Sequence, residues 1–560
     1  MPRHTAWLYS LISDFKWFLN MSELSNKQIA ERLQHLTTLS IALNDIKNIE
    51  VLLERILQTA KNITHADGGT LYRVSADKKY LEFDILFNDS LDLHFGGTLE
   101  KSEQMRSIPL SLDNAEPNLE AVVAYAANRK ESVNIEHVYD TPLFNFLGMR
   151  KFDEFYGYHC QSLLTVPMLD HNSELVGVLQ LVNSKAPFSH QVQPFSMTDQ
   201  VFIEALTSQA AIAITNQELI LQLEDLLESL VNLINIGIDE KSPNTGRHCQ
   251  QVPKLTMMLA DAAQKTDEGA LKDFAMSMSE RYELWLAGML HDCGKITTPV
   301  HVIEKATKLQ TIFDRIHLID ARFEILRRDV EIHYLKQQAA QGPSNRLSRE
   351  LECKLERFED DRTFLAYANI GSERMKDEDL QRVASIANYT WVDQQGNTQT
   401  LLNEEEVENL MIPAGTLTNE ERKIINNHIS LTIRMLETLP WPKHLQHIPE
   451  FAGGHHERMD GKGYPRGLRG EEMSVQARIM AIADIFEALT AKDRPYKTGK
   501  TLSESLRILG KFSLNGHIDP ELFHIFVKQK VYLEYANQFM DSAQIDEVDE
   551  TQIPGYLKPQ

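Results

Sequence analysis

The feature that most constrains this fold is a change in hydrophobic period along the chain. Val51, Leu52, Ile56, Leu57 and Ile63 form the apolar stripe of a helix. After Gly68-Gly69 the pattern changes: Thr70 to Val74 reads as a strand, and Leu81, Phe83 and Ile85 alternate with Glu82 and Asp84. Leu163 to Leu169 and Val176 to Val182 are two further apolar strands, and Pro167 inside the first implies an edge or a bulge. Helical spacing returns at Val201 to Ile214 and dominates the rest. Residues 45–216 are therefore expected to form an α+β unit, followed by a helical region.

The sequence has 560 residues and is 42% apolar and 24% charged, values of a globular, multidomain protein. Its net charge of −23 argues against coating polymeric nucleic acid and against a polybasic membrane anchor. A small anionic substrate stays open, because bound metal ions invert local charge. Cys160, Cys249, Cys293 and Cys353 are too scattered for a disulfide framework, which fits a reducing compartment; the expected location is the cytoplasm. No run of 18 apolar residues suggests a transmembrane segment. Residues 1–44 read as an N-terminal helical segment, with an amphipathic stretch from Ala6 to Leu19 suited to packing on a partner or the next domain.

Residues 45–216 resemble a GAF domain. The resemblance rests on Ala66-Asp67-Gly68-Gly69-Thr70-Leu71-Tyr72, on Leu175 to Asn183 and on Ala210 to Ile214. It implies helices packed on a sheet and a pocket for a small regulatory ligand, here unknown. Asn183, Lys185, Phe195 and Asp199, with Gln200 where the signature has Glu, match a cyclic-nucleotide signature only loosely; a plain loop between sheet and helix is the competing reading. Residues 217–237 read as a connecting helix. Leu219, Leu223, Leu226, Leu230 and Leu233 form a short heptad seam, which points to a parallel homodimer.

Histidine usage marks the second half. Of 20 histidines, His428, His444, His447, His455 and His456 fall between 428 and 456. Such clustering shifts the reading from ordinary surface or core histidines towards metal binding. His291-Asp292 follows the apolar run Leu284 to Leu290, so the pair is expected on the inner wall of a buried helix. Lys295, four residues after His291, is expected on the same face. A buried imidazole and carboxylate need a partner, and a metal is the simplest. His248 lies where a loop enters a helix, and Asp484 is a lone acid in the apolar stretch Arg478 to Ala483.

These residues resemble the HD-GYP family of metallophosphohydrolases. The match includes His248, His291-Asp292-Cys293-Gly294-Lys295, His428, His455-His456 with Gly461-Lys462-Gly463-Tyr464-Pro465, Asp484 to Thr490, and Arg494 to Lys497. The resemblance implies an all-α domain at 238–530 and a phosphodiesterase that opens the 3′–5′ bond of a cyclic dinucleotide, cyclic di-GMP or 3′3′-cyclic GMP–AMP, to a linear product. It implies two divalent ions, iron or manganese: His248, His291, Asp292 and Asp484 for the first, and Asp292, His428, His455 and His456 for the second, with Asp292 bridging. Asp292 and Lys295 would be catalytic. Lys295, Gly463, Tyr464, Pro465, Arg494 and Lys497 would contact substrate. A diguanylate cyclase or other signalling protein is a further expected type of partner.

Two departures stand out. Asn244 occupies a place where some members carry a third-metal glutamate, which favours two metals over three. The segment Lys305 to Leu309, usually followed directly by Thr-x-Glu-Glu, is separated from Leu417 to Glu421 by an insertion at about 310–416. That insertion reads as a helical hairpin, Phe313 to Gln338 and Arg346 to Tyr367. Residues 531–560 read as an acidic tail. The competing functions are an HD hydrolase of nucleotides or guanosine tetraphosphate, and a non-catalytic binding module.

Overall fold

The computed structural model describes residues 48–99, 107–371, 374–491 and 499–556, without the side chains of 243–246. The expected N-terminal segment, Arg494 and Lys497 lie outside the described residues, as does the Asn244 side chain. The chain divides into two compact units, 1–226 and 227–560.

The first unit starts with α1 (Ile49–Thr64), capped by the Asn48 side chain, which accepts from the amides of Glu50 and Val51. Its sheet contains β1 (Ala66–Val74), β2 (Tyr80–Asn88), β3 (Leu93–Gly96), β4 (Ile108–Pro109), β5 (Val133–Ile135), β6 (Leu163–Leu169), β7 (Leu175–Lys185) and β8 (Val192–Gln193). The strands are antiparallel in the order β3-β2-β1-β7-β6-β5, with β4 on β2 and β8 on β7. Helices α2 (Val122–Arg129) and α3 (Leu147–Tyr156) fall between β4 and β6. Gly69 lets α1 press onto the sheet: a Cβ there would lie 2.7 Å from Leu57 and 2.9 Å from Leu181. β6 is an interior strand, but around Pro167 it is locally an edge beside a bulge, as expected. β5 pairs only with Leu163 to Thr165, so Pro167 lies past its end, and a register irregularity follows at Met168/Leu169.

A cavity of about 780 Å³ opens beside the sheet, lined by Tyr72, Phe83, Phe87, Phe152, Tyr158 and Gln180 among others. The residues of the loose cyclic-nucleotide signature serve the fold. Asn183 accepts from the amides of Gln161 and Ser162 and donates to the Tyr158 hydroxyl. Lys185 pairs with buried Asp67, which also accepts from Tyr158.

Helix α4 (Met197–Lys241) is continuous. Leu219, Leu223, Leu226, Leu230 and Leu233 are exposed along it. Beyond the division, a different stripe of the same helix, with Val231 and Ile238 buried and Leu227 and Ile234 packed against them, belongs to the core of the second unit.

That unit is built from α5 (Pro243–Gln264), α6 (Met278–Leu290), α7 (Val300–Ile303), α8 (Ile316–Gln341), α9 (Asn345–Ile370), α10 (Asp377–Ala387), α11 (Glu404–Leu410), α12 (Asn419–Glu437), α13 (Ile448–Gly453), α14 (Val475–Thr490), α15 (Leu502–Leu514), α16 (Pro520–Lys528) and α17 (Val531–Phe539). A capping box of Ser277 and Glu280 starts α6, and another of Thr418 and Glu421 starts α12. The main core joins α5, α6, α14, α16 and α17 through residues such as Leu255, Leu286, Ile482, Phe523 and Tyr535.

Two expectations are corrected here and one is sharpened. The second unit is predominantly helical, as expected, and within the insertion Thr390–Val392 (β9) and Thr398–Thr400 (β10) form a hairpin, turned at Gly396 with φ +87°. The insertion is more than a hairpin of helices. Leu309, Phe323, Leu365, Val383, Leu402 and Leu410 close a core of their own, and Glu406, in the acidic run 404–406, is buried against Arg322 at 2.7 Å. At the base of the insertion, Lys305 donates to Glu421 and Asn409 at 2.7 Å, joining its two ends. Finally, the described part of the expected tail, 531–556, is not free. α17 buries Val531, Tyr532 and Tyr535, Ile553 joins the same core, and Asp546 accepts from the amide and hydroxyl of Ser503. The acids read as a tail flank an apolar pattern that needs a partner surface.

Candidate metal centre

The polar residues singled out in the second half converge from five segments. His248 lies on α5, His428 on α12 and Asp484 on α14, while His455 and His456 follow α13. His291 and Asp292 do not continue α6. The helix stops at Leu290, His291 caps it, and the chain tightens into a 3-10 turn at Cys293–Thr297. Lys295 therefore meets Asp292 rather than sharing a helical face with His291: its Nζ lies 2.5 Å from Asp292 Oδ2. Gly294 makes the turn fit. A Cβ there would sit 2.0 Å from the His428 carbonyl oxygen, and its amide donates to the Thr432 hydroxyl.

Asp292 is 1% exposed, and its two oxygens face different ways. Oδ2 lies 3.3 Å from His291 Nε2 and 3.4 Å from His248 Nε2. Oδ1 lies 3.2 Å from His428 Nε2. Asp484 Oδ1 lies 3.0 Å from His248 Nε2 and 3.8 Å from His291 Nε2. Three trios each bring their ligand atoms within 4.8 Å of one another: His428, His455 and His456; His248, His291 and Asp292; and His291, His455 and Asp484. His455 thus reaches both sides of the centre.

The donor set suits divalent cations. Asp292 Oδ1, His428 Nε2 and His455 Nε2 are buried and have no hydrogen-bond partner, a costly arrangement that a cation relieves. The Nδ1 atoms of His291, His428 and His455 are each turned to a backbone carbonyl three residues earlier, which directs Nε2 inward. Imidazole and carboxylate donors without thiolate suit a divalent ion. The buried thiols Cys249 and Cys293 are held protonated, their pKa values raised by desolvation to about 12 and about 11.

The electrostatics follow from burial and neighbours. Burial opposes ionisation of Asp292, but Lys295 and the imidazoles outweigh it and hold the carboxyl well below its usual range. Asp484 is lowered in the same way, burial being outweighed by His248 above all. Burial, together with neighbouring imidazoles, pushes His455 well down and His456 down to about 4, leaving their lone pairs available to a cation.

The Gly-Tyr-Pro loop lies against this centre. Tyr464 stacks on His456 with ring centroids 4.8 Å apart, and the Tyr464-Pro465 bond is cis. Gly463 admits no side chain, since a Cβ would lie 2.5 Å from the Arg458 nitrogen and Glu457 Cα. Two residues had no assigned role in the sequence reading. Buried Glu457 accepts from the amides of Arg466 and Leu468 and so fastens the loop. Glu487 faces His248 Nδ1 at 2.5 Å. Its signal was a second acid one turn after Asp484 in the same apolar helix. His447 stands apart from the centre, its amide donating to buried Glu283.

Known proteins bear on both units. The GAF domain profile matches residues 48–214, and the HD domain profile matches 404–522. The chain carries a GAF domain followed by a predominantly helical HD region. His428, His455, His456 and Asp484 fall inside the HD match; His248, His291 and Asp292 lie before it and are brought to it by the fold.

The chain is similar to named phosphodiesterases. It is 40% identical over 114 residues to a cyclic di-GMP phosphodiesterase of Pseudomonas aeruginosa, covering 20% of this chain and 26% of that protein. It is 46% identical over 81 residues to the 3′3′-cGAMP-specific phosphodiesterase 1 of Vibrio cholerae, covering 14% and 19%. It is 40% identical over 120 residues to a cyclic di-GMP phosphodiesterase of Thermotoga maritima, covering 21% and 32%. The chain thus spans a third or less of the length of each of these relatives. No helix among the described residues is long and apolar enough to cross a membrane.

Proposed function

We propose that this chain is a metal-dependent phosphodiesterase that opens the 3′–5′ bond of a cyclic dinucleotide to give a linear dinucleotide. The observation that carries the proposal is the Asp292 carboxylate, with one oxygen turned to His248 and His291 and the other to His428. His248, His291, Asp484 and Asp292 Oδ2 would hold one divalent ion; His428, His456 and Asp292 Oδ1 would hold a second, with His455 within reach of both. Such ions, iron or manganese, supply Lewis acidity against the phosphoryl oxygens and lower the pKa of an attacking water.

The chain's own residues complete the reading. Lys295, kept charged by Asp292, stands beside the bridging carboxylate and would offset charge developing on the phosphate. Tyr464 offers an aromatic face at the edge of the centre, fixed by its stacking on His456. The close backbone packing at Gly463 sets where that ring stands. Arg494 and Lys497 would supply further substrate contacts.

Relatives named for cyclic di-GMP and a relative named for 3′3′-cyclic GMP–AMP are similar to this chain, so the decisive test is a side-by-side turnover assay. The manganese-loaded full chain should convert at least one of the two to its linear dinucleotide. A metal-loaded protein that leaves both intact would refute the proposal.

The GAF domain would regulate this activity through a ligand in its cavity, and two copies would pair along the exposed leucine stripe of α4 in the cytoplasm. Sedimentation should show a dimer, and Leu226→Glu with Leu230→Glu should convert it to monomer. A double variant that sediments as the wild type does would exclude the pairing.

A further inference from the structure

The histidines of the centre are not supported alike. His291 Nδ1 meets the Gly288 carbonyl at 2.7 Å, His455 Nδ1 meets the Ala452 carbonyl at 2.6 Å, and His428 Nδ1 meets the Ile425 carbonyl. Each of these partners is a neutral dipole three residues back on the same segment. His248 Nδ1 instead meets a carboxylate, Glu487 Oε2, from a different helix at 2.5 Å. Glu487 is 3% exposed and lies one turn after Asp484 on α14. A single helix therefore presents one carboxylate to the inner nitrogen of His248 and another to its outer nitrogen.

The two kinds of support differ in what they do to the imidazole. A carbonyl fixes the tautomer and ring angle. A carboxylate does both, and also draws the Nδ1 proton towards itself, so that electron density rises at Nε2. It further adds a negative charge in a region sheltered from solvent, where a cation is attracted more strongly than in water. Nε2 of His248 is the atom that points at Asp484 and Asp292. Among the described residues, no carboxylate is bonded to the Nδ1 of His291, His428 or His455.

We infer that Glu487 is a positioning residue that makes the His248–Asp484 side of the centre the tighter of its two cation positions. The inference rests on the two-cation reading above and adds an order to it: the His248 position fills first and empties last. It also gives α14 a second role, since displacement of this helix would move a candidate ligand and the support of another together.

The test is a manganese titration of the chelator-treated full chain, with free Mn(II) followed by its electron paramagnetic resonance signal. The wild type should take up two equivalents in two steps. Glu487→Ala should weaken the tighter step by about 10- to 100-fold, and Glu487→Gln, which keeps an acceptor oxygen without the charge, by about 10-fold. The weaker step should stay where it is in both. General loosening of the core would shift both steps, so equal weakening overturns the inference, as does an unchanged titration of Glu487→Ala. Glu487→Gln is nearly isosteric and serves if the alanine variant does not fold. A wild type with two such steps but no activity on either cyclic dinucleotide would refute the proposed function and leave this order of filling standing. A wild type binding a single equivalent would overturn both.

Discussion

Asp292→Ala should abolish turnover. Asp292 is the one residue whose two oxygens face both sides of the centre, so its loss removes a ligand from each proposed position at once. The change also strips Lys295 of its 2.5 Å partner and leaves His248 and His291 with only one, Asp484, of the two carboxylates that they share. Breaking a buried charge cluster in this way costs about 4 kcal/mol, equivalent to about a thousandfold in rate if the whole loss falls on the transition state. The check is a turnover assay with metal counting on the same sample. Both ions should fall together, in contrast to Glu487→Ala. Asp292→Asn, which keeps the shape and one acceptor oxygen, should retain part of the metal and little of the activity. Wild-type turnover in Asp292→Ala would show that the carboxylate has no part in the reaction.

Gly294→Ala should be nearly as damaging, though it removes no polar group. The added methyl would sit 2.0 Å from the His428 carbonyl oxygen and 2.7 Å from the Thr432 nitrogen. Both are backbone atoms of α12, so no side-chain rotation relieves the clash. Either the 3-10 turn carrying Lys295 or the helix carrying His428 has to give way by about an ångström. Overpacking of this kind costs about 3 kcal/mol. A shift of that size between reacting groups costs about a hundredfold in rate. The urea midpoint and the turnover number should therefore both fall. Gly288→Ala is the natural comparison: its methyl would meet Pro253 at 3.1 Å or more, a contact that a small adjustment accommodates. Equal stability of Gly294→Ala and wild type would mean that the turn does not pack on α12 as described.

Much of this arrangement was legible in the sequence because the informative residues sit in unlikely surroundings. An acid within Arg478 to Ala483 and its neighbours, or a His-Asp pair after Leu284 to Leu290, stands out against an apolar run, and the fold brings these residues together. The strands of the first unit were equally plain, since alternation in Leu81 to Ile85 has no helical explanation. What stayed hidden depends on contacts distant in sequence. Glu487 is a second acid in an apolar helix, but its partner His248 is not apparent until α5 is packed against α14. Glu406 looks like one of three solvated acids until Arg322 arrives from α8. The end of α6 at Leu290 is set by packing of Gly294 on α12, and no local pattern signals it. The C-terminal segment was misread because its acids drew attention from Val531, Tyr532, Tyr535 and Ile553, which need the main core. The β9–β10 hairpin is only three residues per strand, too short for a period to show.

The proposed centre depends on one carboxylate, Asp292, shared between two cations. The most direct measurement is the electron paramagnetic resonance spectrum of the full chain loaded with two equivalents of Mn(II). Two ions bridged by Asp292 should be magnetically coupled, giving a broadened spectrum in place of the six-line signal of isolated Mn(II), and Asp292→Ala should lose it. At two bound equivalents, a wild-type spectrum of isolated, uncoupled Mn(II) would contradict the shared-carboxylate centre.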